Sequence, residues 1–236
     1  MSDLLSEDQP ACLERVCAQV IQCRACPRLV SWREQVAAQR RRAFLEQTYW
    51  GKPVPGLGDP RARLLAVGLA PGAHGSNRTG RMFTGDASGD FLFPALFRAG
   101  FASSPRSEGV GDGLRLRDLY ITAVCHCAPP GNKPAPEEIR ACQTWLQAEL
   151  NCLPGLKGIV LLGKVALEGV LALPMYVGVR RKEVPFGHGA FYAPEGLPWL
   201  LCSYHPSRQN TQTGKLTPEM FDSIWQQAGR LLSGEA

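Results

Sequence analysis

No apolar run in the 236-residue sequence approaches the roughly 20 residues of a membrane-spanning helix, which argues against that class of protein. The opening MSDLLSEDQP is acidic and lacks the basic-then-apolar order of a signal peptide, so a cytoplasmic location is expected. There is no G-x-G-x-x-G, which weakens a dinucleotide reading. Gly75 to Met82, GSNRTGRM, has the two glycines of a phosphate-cradling loop, but Arg81 replaces its lysine and Met82 its magnesium-holding hydroxyl. Nucleotide hydrolysis is therefore not expected. A strong charge excess is also missing: 26 basic against 21 acidic residues give a net charge of +5, which permits an anionic partner without requiring one.

What remains is an ordinary globule, 44% hydrophobic and 20% charged, long enough for a single domain spanning 1–236 with a substantial core. Nine cysteines without an export signal point away from disulfides, because the cytosol keeps thiols reduced. Metal or cluster binding explains them better. Cys23-Arg24-Ala25-Cys26-Pro27 presents two thiolates on one side of a tight turn, and Cys127 and Cys142 lie on a later loop and helix start. Four thiolates from two distant segments would pin the N-terminal helices to that loop. Spacing alone does not separate iron from zinc. Cys12, Cys17, Cys152 and Cys202 read as buried core cysteines.

Periodicity predicts helices over 11–22 and 29–46, then strands over Ala62 to Leu69, Leu119 to Val124, Lys157 to Gly163 and Leu197 to Ser203, with helices following. Strands alternating with helices make a parallel sheet covered on both faces. Arg40, Arg41 and Arg42 read as a solvated helix face. Between the first strand and its helix runs GLAPGAHGSNRTGRMFTGDASG, Gly68 to Gly89, with six glycines that let backbone approach a ligand. Loops beyond the carboxyl ends of strands are where open α/β sheets bind ligands, so Asp86, Asn132 and His205 are expected within reach of one another. The competing structural readings are a helix cap for Asp86, core packing for Phe83, a turn for Asn132 and purely local bonds for His205.

GLAPGAHGSNRTGRMFTGDASG, CAPPGNKPAPEEIRAC and SYHPSRQNTQTGKL together strongly resemble the iron-sulfur uracil-DNA glycosylases of type B, or family 5, over nearly the whole chain. The resemblance implies a three-layer α/β sandwich around a central four-stranded parallel sheet, and a structural [4Fe-4S] cluster on Cys23, Cys26, Cys127 and Cys142. Cys127 is preferred to Cys125 because it directly precedes Ala-Pro-Pro. It implies catalysis by Asp86, Asn132 and His205, with Phe83 as the stacking aromatic. Gly68, Ala70, Pro71, Gly72 and His74 are expected around the base, and Arg78, Arg208 and Asn210 against DNA. The related type A enzymes carry an acid where Leu69 stands and an asparagine where Ala123 stands. Losing that edge-reading group implies broader substrates, hypoxanthine and xanthine beside uracil. The expected protein is a monomeric, monofunctional glycosylase acting on DNA with deaminated bases, since the motifs place no lysine for lyase chemistry. The alternative is a nucleic-acid-binding or electron-transfer protein whose cluster is the working part, which would leave Asp86, Asn132 and His205 without a task.

Overall fold

A computed structural model describes residues 9–235; the acidic opening, on which the expected lack of a signal peptide rests, falls mostly outside them. Among the described residues no helix is long and apolar enough to cross a membrane. Four apolar runs form the parallel centre of a sheet: β2 (Leu64–Gly68), β3 (Leu119–Ala123), β4 (Gly158–Leu162) and β6 (Trp199–Ser203). Two-residue strands β1 (Leu57–Gly58) and β5 (Phe191–Tyr192) pair antiparallel on the edges, giving the order β1-β3-β2-β4-β6-β5. These edge strands are too short to leave an alternating pattern in sequence.

The central strands are buried on both faces, and their period of two divides the core. Leu64, Ala66, Ile121, Val160 and Leu201 meet one cluster with α4 (Ala87–Arg98) and α8 (Pro218–Ser233), whose Leu92, Leu96, Phe221 and Trp225 cover that face. Leu65, Val67, Tyr120, Ile159 and Leu200 meet the other with α1 (Gln9–Gln22), α5 (Pro136–Asn151) and α6 (Lys164–Leu171). The chain leaves β2 for β3 on one side and returns to β4 on the other, so strand order reverses at β2. Such a reversal opens a crevice at the strands' carboxyl ends.

Two expectations are corrected here. Helix α2 (Pro27–Gln39) ends seven residues short of 46, because Arg40 turns left-handed at φ 54 and the chain enters a 3-10 turn at Arg42–Phe44. Cys12 and Cys152 are not free core thiols: they form a disulfide with their Cα atoms 5.7 Å apart, tying α1 to the end of α5. Compartment chemistry sets whether disulfides persist, but two helices packed side by side bring these thiols together regardless. Cys17 and Cys202 remain free, and Cys202 is buried.

Candidate active site

The loop after β2 folds around its glycines. Asp86 is the N-cap of α4: Oδ1 accepts from the backbone N–H of Ser88 at 3.0 Å and of Gly89 at 3.3 Å. Oδ2 turns the other way, against the Gly72–Gly75 turn, where a Cβ added to Gly72 would lie 2.6 Å from it. Only glycines leave that carboxylate its place. Burial raises the Asp86 pKa above the ordinary carboxylate value, against the two backbone hydrogen bonds and the nearby Arg78 charge.

Three residues earlier, Phe83 holds a left-handed φ of 52, a conformation that costs a bulky residue about 1–3 kcal/mol and persists where its surroundings impose it. Its ring is 8% exposed and lies over the end of β2, so close that a Cβ on Gly68 would come within 2.6 Å of it. The ring stacks on His205, with centroids 5.9 Å apart and planes 28° apart. The two rings are already in contact, so a flat ligand must lie beside the pair rather than between them. His205 follows β6 and sits over Gly163 at the end of β4, where an added Cβ would meet its own Cβ at 3.4 Å. Burial pushes the His205 pKa down to about 4, leaving a neutral imidazole at ordinary pH. Two strand ends thus supply the groups: the loop after β2 carries the aromatic and the carboxylate, and β6 leads into the imidazole.

The other nominated residues divide. Ala70 and Gly72 are half-buried and Pro71 is buried in the same turn as the Asp86 carboxylate. Nδ1 of His74 is hydrogen-bonded to the Tyr49 hydroxyl at 3.1 Å, which holds the ring at the edge of the loop. Arg78, expected on a phosphate, instead braces the loop: Nε donates to the His74 carbonyl at 2.8 Å, Nη2 to the Gly85 carbonyl at 3.0 Å and Nη1 to Gln47 Oε1 at 2.5 Å. Asn210, also expected against DNA, donates through Nδ2 to the His205 carbonyl at 2.9 Å and so fixes the histidine's own loop. Arg208, the first residue of the short helix α7 (Arg208–Gln212), is exposed. Asn132 is exposed in a left-handed turn at φ 56, and among the described residues its side chain makes no hydrogen bond to Asp86 or His205.

One polar network has no signal in sequence. The connection 103–117 is a strap that starts beside the far end of the sheet, where Ala102 pairs with Leu116, and climbs to the loop. There Arg81 Nη1 donates to Asp112 Oδ2 at 2.6 Å and to Ser107 Oγ at 3.2 Å, while the Thr84 and Ser107 hydroxyls meet at 2.7 Å. The backbone N–H groups of Glu108 and Leu114 also donate to Asp112, each at 2.9 Å. Nothing local to GVGDG announces a partner thirty residues upstream.

Cys23, Cys26, Cys127 and Cys142 line one small cavity of about 20 Å³, partly open to solvent and walled by Leu29, Val30 and Trp145. Among the described residues no three His, Cys, Asp or Glu side chains gather closely enough to hold a single metal ion. Burial pushes the Cys127 thiol up to about 12, and a hydrogen bond with Cys125 together with burial raises Cys142 well above its ordinary value. Beside them Arg33 is 2% exposed; its Nη2 reaches the Cys23 carbonyl at 3.5 Å and lies 3.7 Å from Glu34 Oε1, while its Nε and Nη1 have no hydrogen-bond partner. A buried guanidinium with two of its three nitrogens unbonded costs free energy, and so do buried thiolates without a cation. A metal group with thiolate ligands and net negative charge would meet both demands, so these residues fit one.

A model of the Uracil DNA glycosylase superfamily matches residues 55–229. The chain is 58% identical over 209 residues to a type-5 uracil-DNA glycosylase of Thermus thermophilus, covering 89% of this chain and 93% of that one. A type-5 uracil-DNA glycosylase of Mycobacterium tuberculosis is 53% identical over 210 residues, covering 89% and 78%. One of Pyrobaculum aerophilum is 43% identical over 210 residues, covering 89% of each.

Proposed function

Since the chain belongs to the uracil DNA glycosylase superfamily, we propose that it hydrolyses the N-glycosidic bond of uracil in DNA and leaves an abasic site. The observation that carries the mechanism is the stacked Phe83–His205 pair over the ends of β2 and β4, with the Asp86 carboxylate held against the Gly72–Gly75 turn of the same β2–α4 loop as Phe83. A base flipped from the duplex would enter beside that pair, against the Gly68–Gly72 backbone. As the bond lengthens, positive charge grows on the sugar and negative charge on the departing base. The Asp86 carboxylate offsets the first and orients the water whose hydroxyl joins the sugar carbon. Neutral His205 donates one N–H to the leaving base, which departs and takes up the remaining proton. Asn132 would have to close onto the site with DNA bound to take part.

A [4Fe-4S] cluster on Cys23, Cys26, Cys127 and Cys142 would staple the turn between α1 and α2 to the start of α5, contributing stability rather than chemistry. Ala123, buried beside Gly68 in the β2–β3 register, gives the pocket no polar edge-reading group from that strand end. The substrate range therefore extends to hypoxanthine and xanthine. Asp86, Phe83 and His205 come from one chain, so a monomer carries the whole site, and a DNA substrate puts its work in the cytoplasm. Duplex oligonucleotides carrying uracil, hypoxanthine or xanthine, incubated with protein and treated with alkali, test this. Alkali-dependent cleavage is expected on all three. Cleavage confined to uracil would refute the broader range, and a borohydride-trapped adduct would refute the hydrolytic mechanism.

A further inference from the structure

Arg40, Arg41 and Arg42 have no task in the site as described. They do not lie on a helix face: α2 stops at Gln39, and the segment that follows is fastened to the rim of the 68–86 loop. The guanidinium of Arg78 stacks on the Phe44 ring at 4.0 Å, and Gln47 accepts from Arg78. The Tyr49 hydroxyl links the Arg41 backbone N–H, at 3.3 Å, to His74. The backbone N–H groups of Trp50 and Gly51 donate to the carbonyls of Arg78 and Asn77 at 2.9 and 3.0 Å. Three exposed arginines are thereby set beside the site by contacts that none of their own charges makes.

Those charges are uncommitted. Among the described residues, the Arg41 and Arg42 side chains have no hydrogen bond or ion-pair partner, and Arg40 makes one bond, from Nη1 to the Leu45 carbonyl at 2.6 Å. Glu46, the segment's one carboxylate, pairs with none of them. Arg41 is near enough to His74 that its charge, after burial, helps lower that imidazole's pKa. Three exposed guanidinium groups on consecutive residues beside a site for a polyanion can each neutralise a backbone phosphate.

We propose that the Arg40–Arg42 corner grips the sugar-phosphate backbone of the DNA substrate, taking the position at the rim that Arg78, spent on bracing the loop, leaves open. The proposal rests on the reading that the chain acts on DNA. The test is equilibrium binding of a duplex carrying a tetrahydrofuran abasic analogue across a salt series, with native protein, Arg41→Ala/Arg42→Ala and Arg41→Lys/Arg42→Lys. The alanine pair should lower the slope of log affinity against log salt by about 0.9 for each phosphate no longer neutralised, and the lysine pair should restore it. With uracil duplex the loss should appear in KM rather than kcat. An unchanged slope and affinity in the alanine pair would overturn the proposal, as would a fall in kcat at unchanged affinity, which marks a structural role. If native protein binds duplex with the expected salt slope but releases no uracil, the excision reading fails and the phosphate grip stands.

Discussion

Asp86 uses one carboxylate twice, and the two oxygens can be separated by experiment. Asn caps helices as well as Asp does, so Asp86→Asn keeps the bond from Oδ1 to α4 while removing the charge aimed at the crevice. Uracil release should fall by about 10²-fold or more. Because burial raises the folded pKa of Asp86, its ionisation costs stability as pH rises through that value. The variant should therefore melt above native protein at pH 8, with the gap closing below pH 4, and a lower melting temperature at pH 8 would contradict this. Native activity should fall with decreasing pH along a limb above the ordinary carboxylate range. His205, neutral down to about 4, is not the origin of that limb. The position of His205 just beyond a strand end was legible because it follows an unbroken apolar run, and the position of Asp86 because a helix cap was among its expected readings. The tasks of Arg78 and Asn210 were not, since an arginine that braces carbonyls and one that meets phosphate look alike in sequence.

At the scale of elements, the strap and the 68–86 loop are tied together by the Arg81–Asp112 and Thr84–Ser107 contacts. Burial pushes the Asp112 carboxyl up, but hydrogen bonds from Arg81 and three backbone N–H groups outweigh it and hold the group well below its usual value. Asp112 therefore stays charged through the working range, and its contribution to stability is lost only as pH falls through that depressed value. Asp112→Ala would free Arg81 and let the loop carrying Phe83 and Asp86 drift. A misplacement of about 1 Å costs on the order of a hundredfold in rate, so kcat should fall roughly ten- to hundredfold with KM less affected. Equal losses in a variant of the exposed Val110 on the same strap would show general loosening instead. The four central strands were readable to within two residues at each end because burial on both faces leaves unbroken apolar runs. The end of α2 was not, since its helical spacing continues past the point where Tyr49 and Arg78 draw the chain aside.

Across the whole molecule, cysteine chemistry joins what the sheet alone does not. If Cys23, Cys26, Cys127 and Cys142 hold a cluster, Cys127→Ser should lose iron and visible absorbance and lower the melting temperature, whereas Asp86→Asn retains both. Full iron content in Cys127→Ser would remove that thiol from the ligand set. Cys12→Ser should cost about 2–4 kcal/mol of stability without touching iron content, measured by denaturation under non-reducing conditions. The four thiols could be grouped from sequence by their turn and loop contexts, but the disulfide could not, because 140 residues separate its halves and nothing local pairs them. That bond also divides the chain into a closed covalent ring, a short segment before it and a long tail after it. Asp86 and all four of the grouped thiols belong to the ring, and His205 to the tail. A single protease nick inside the ring would leave both pieces migrating as one band until reductant is added. A nick after Cys152 would release a fragment at once, and with it the histidine half of the site.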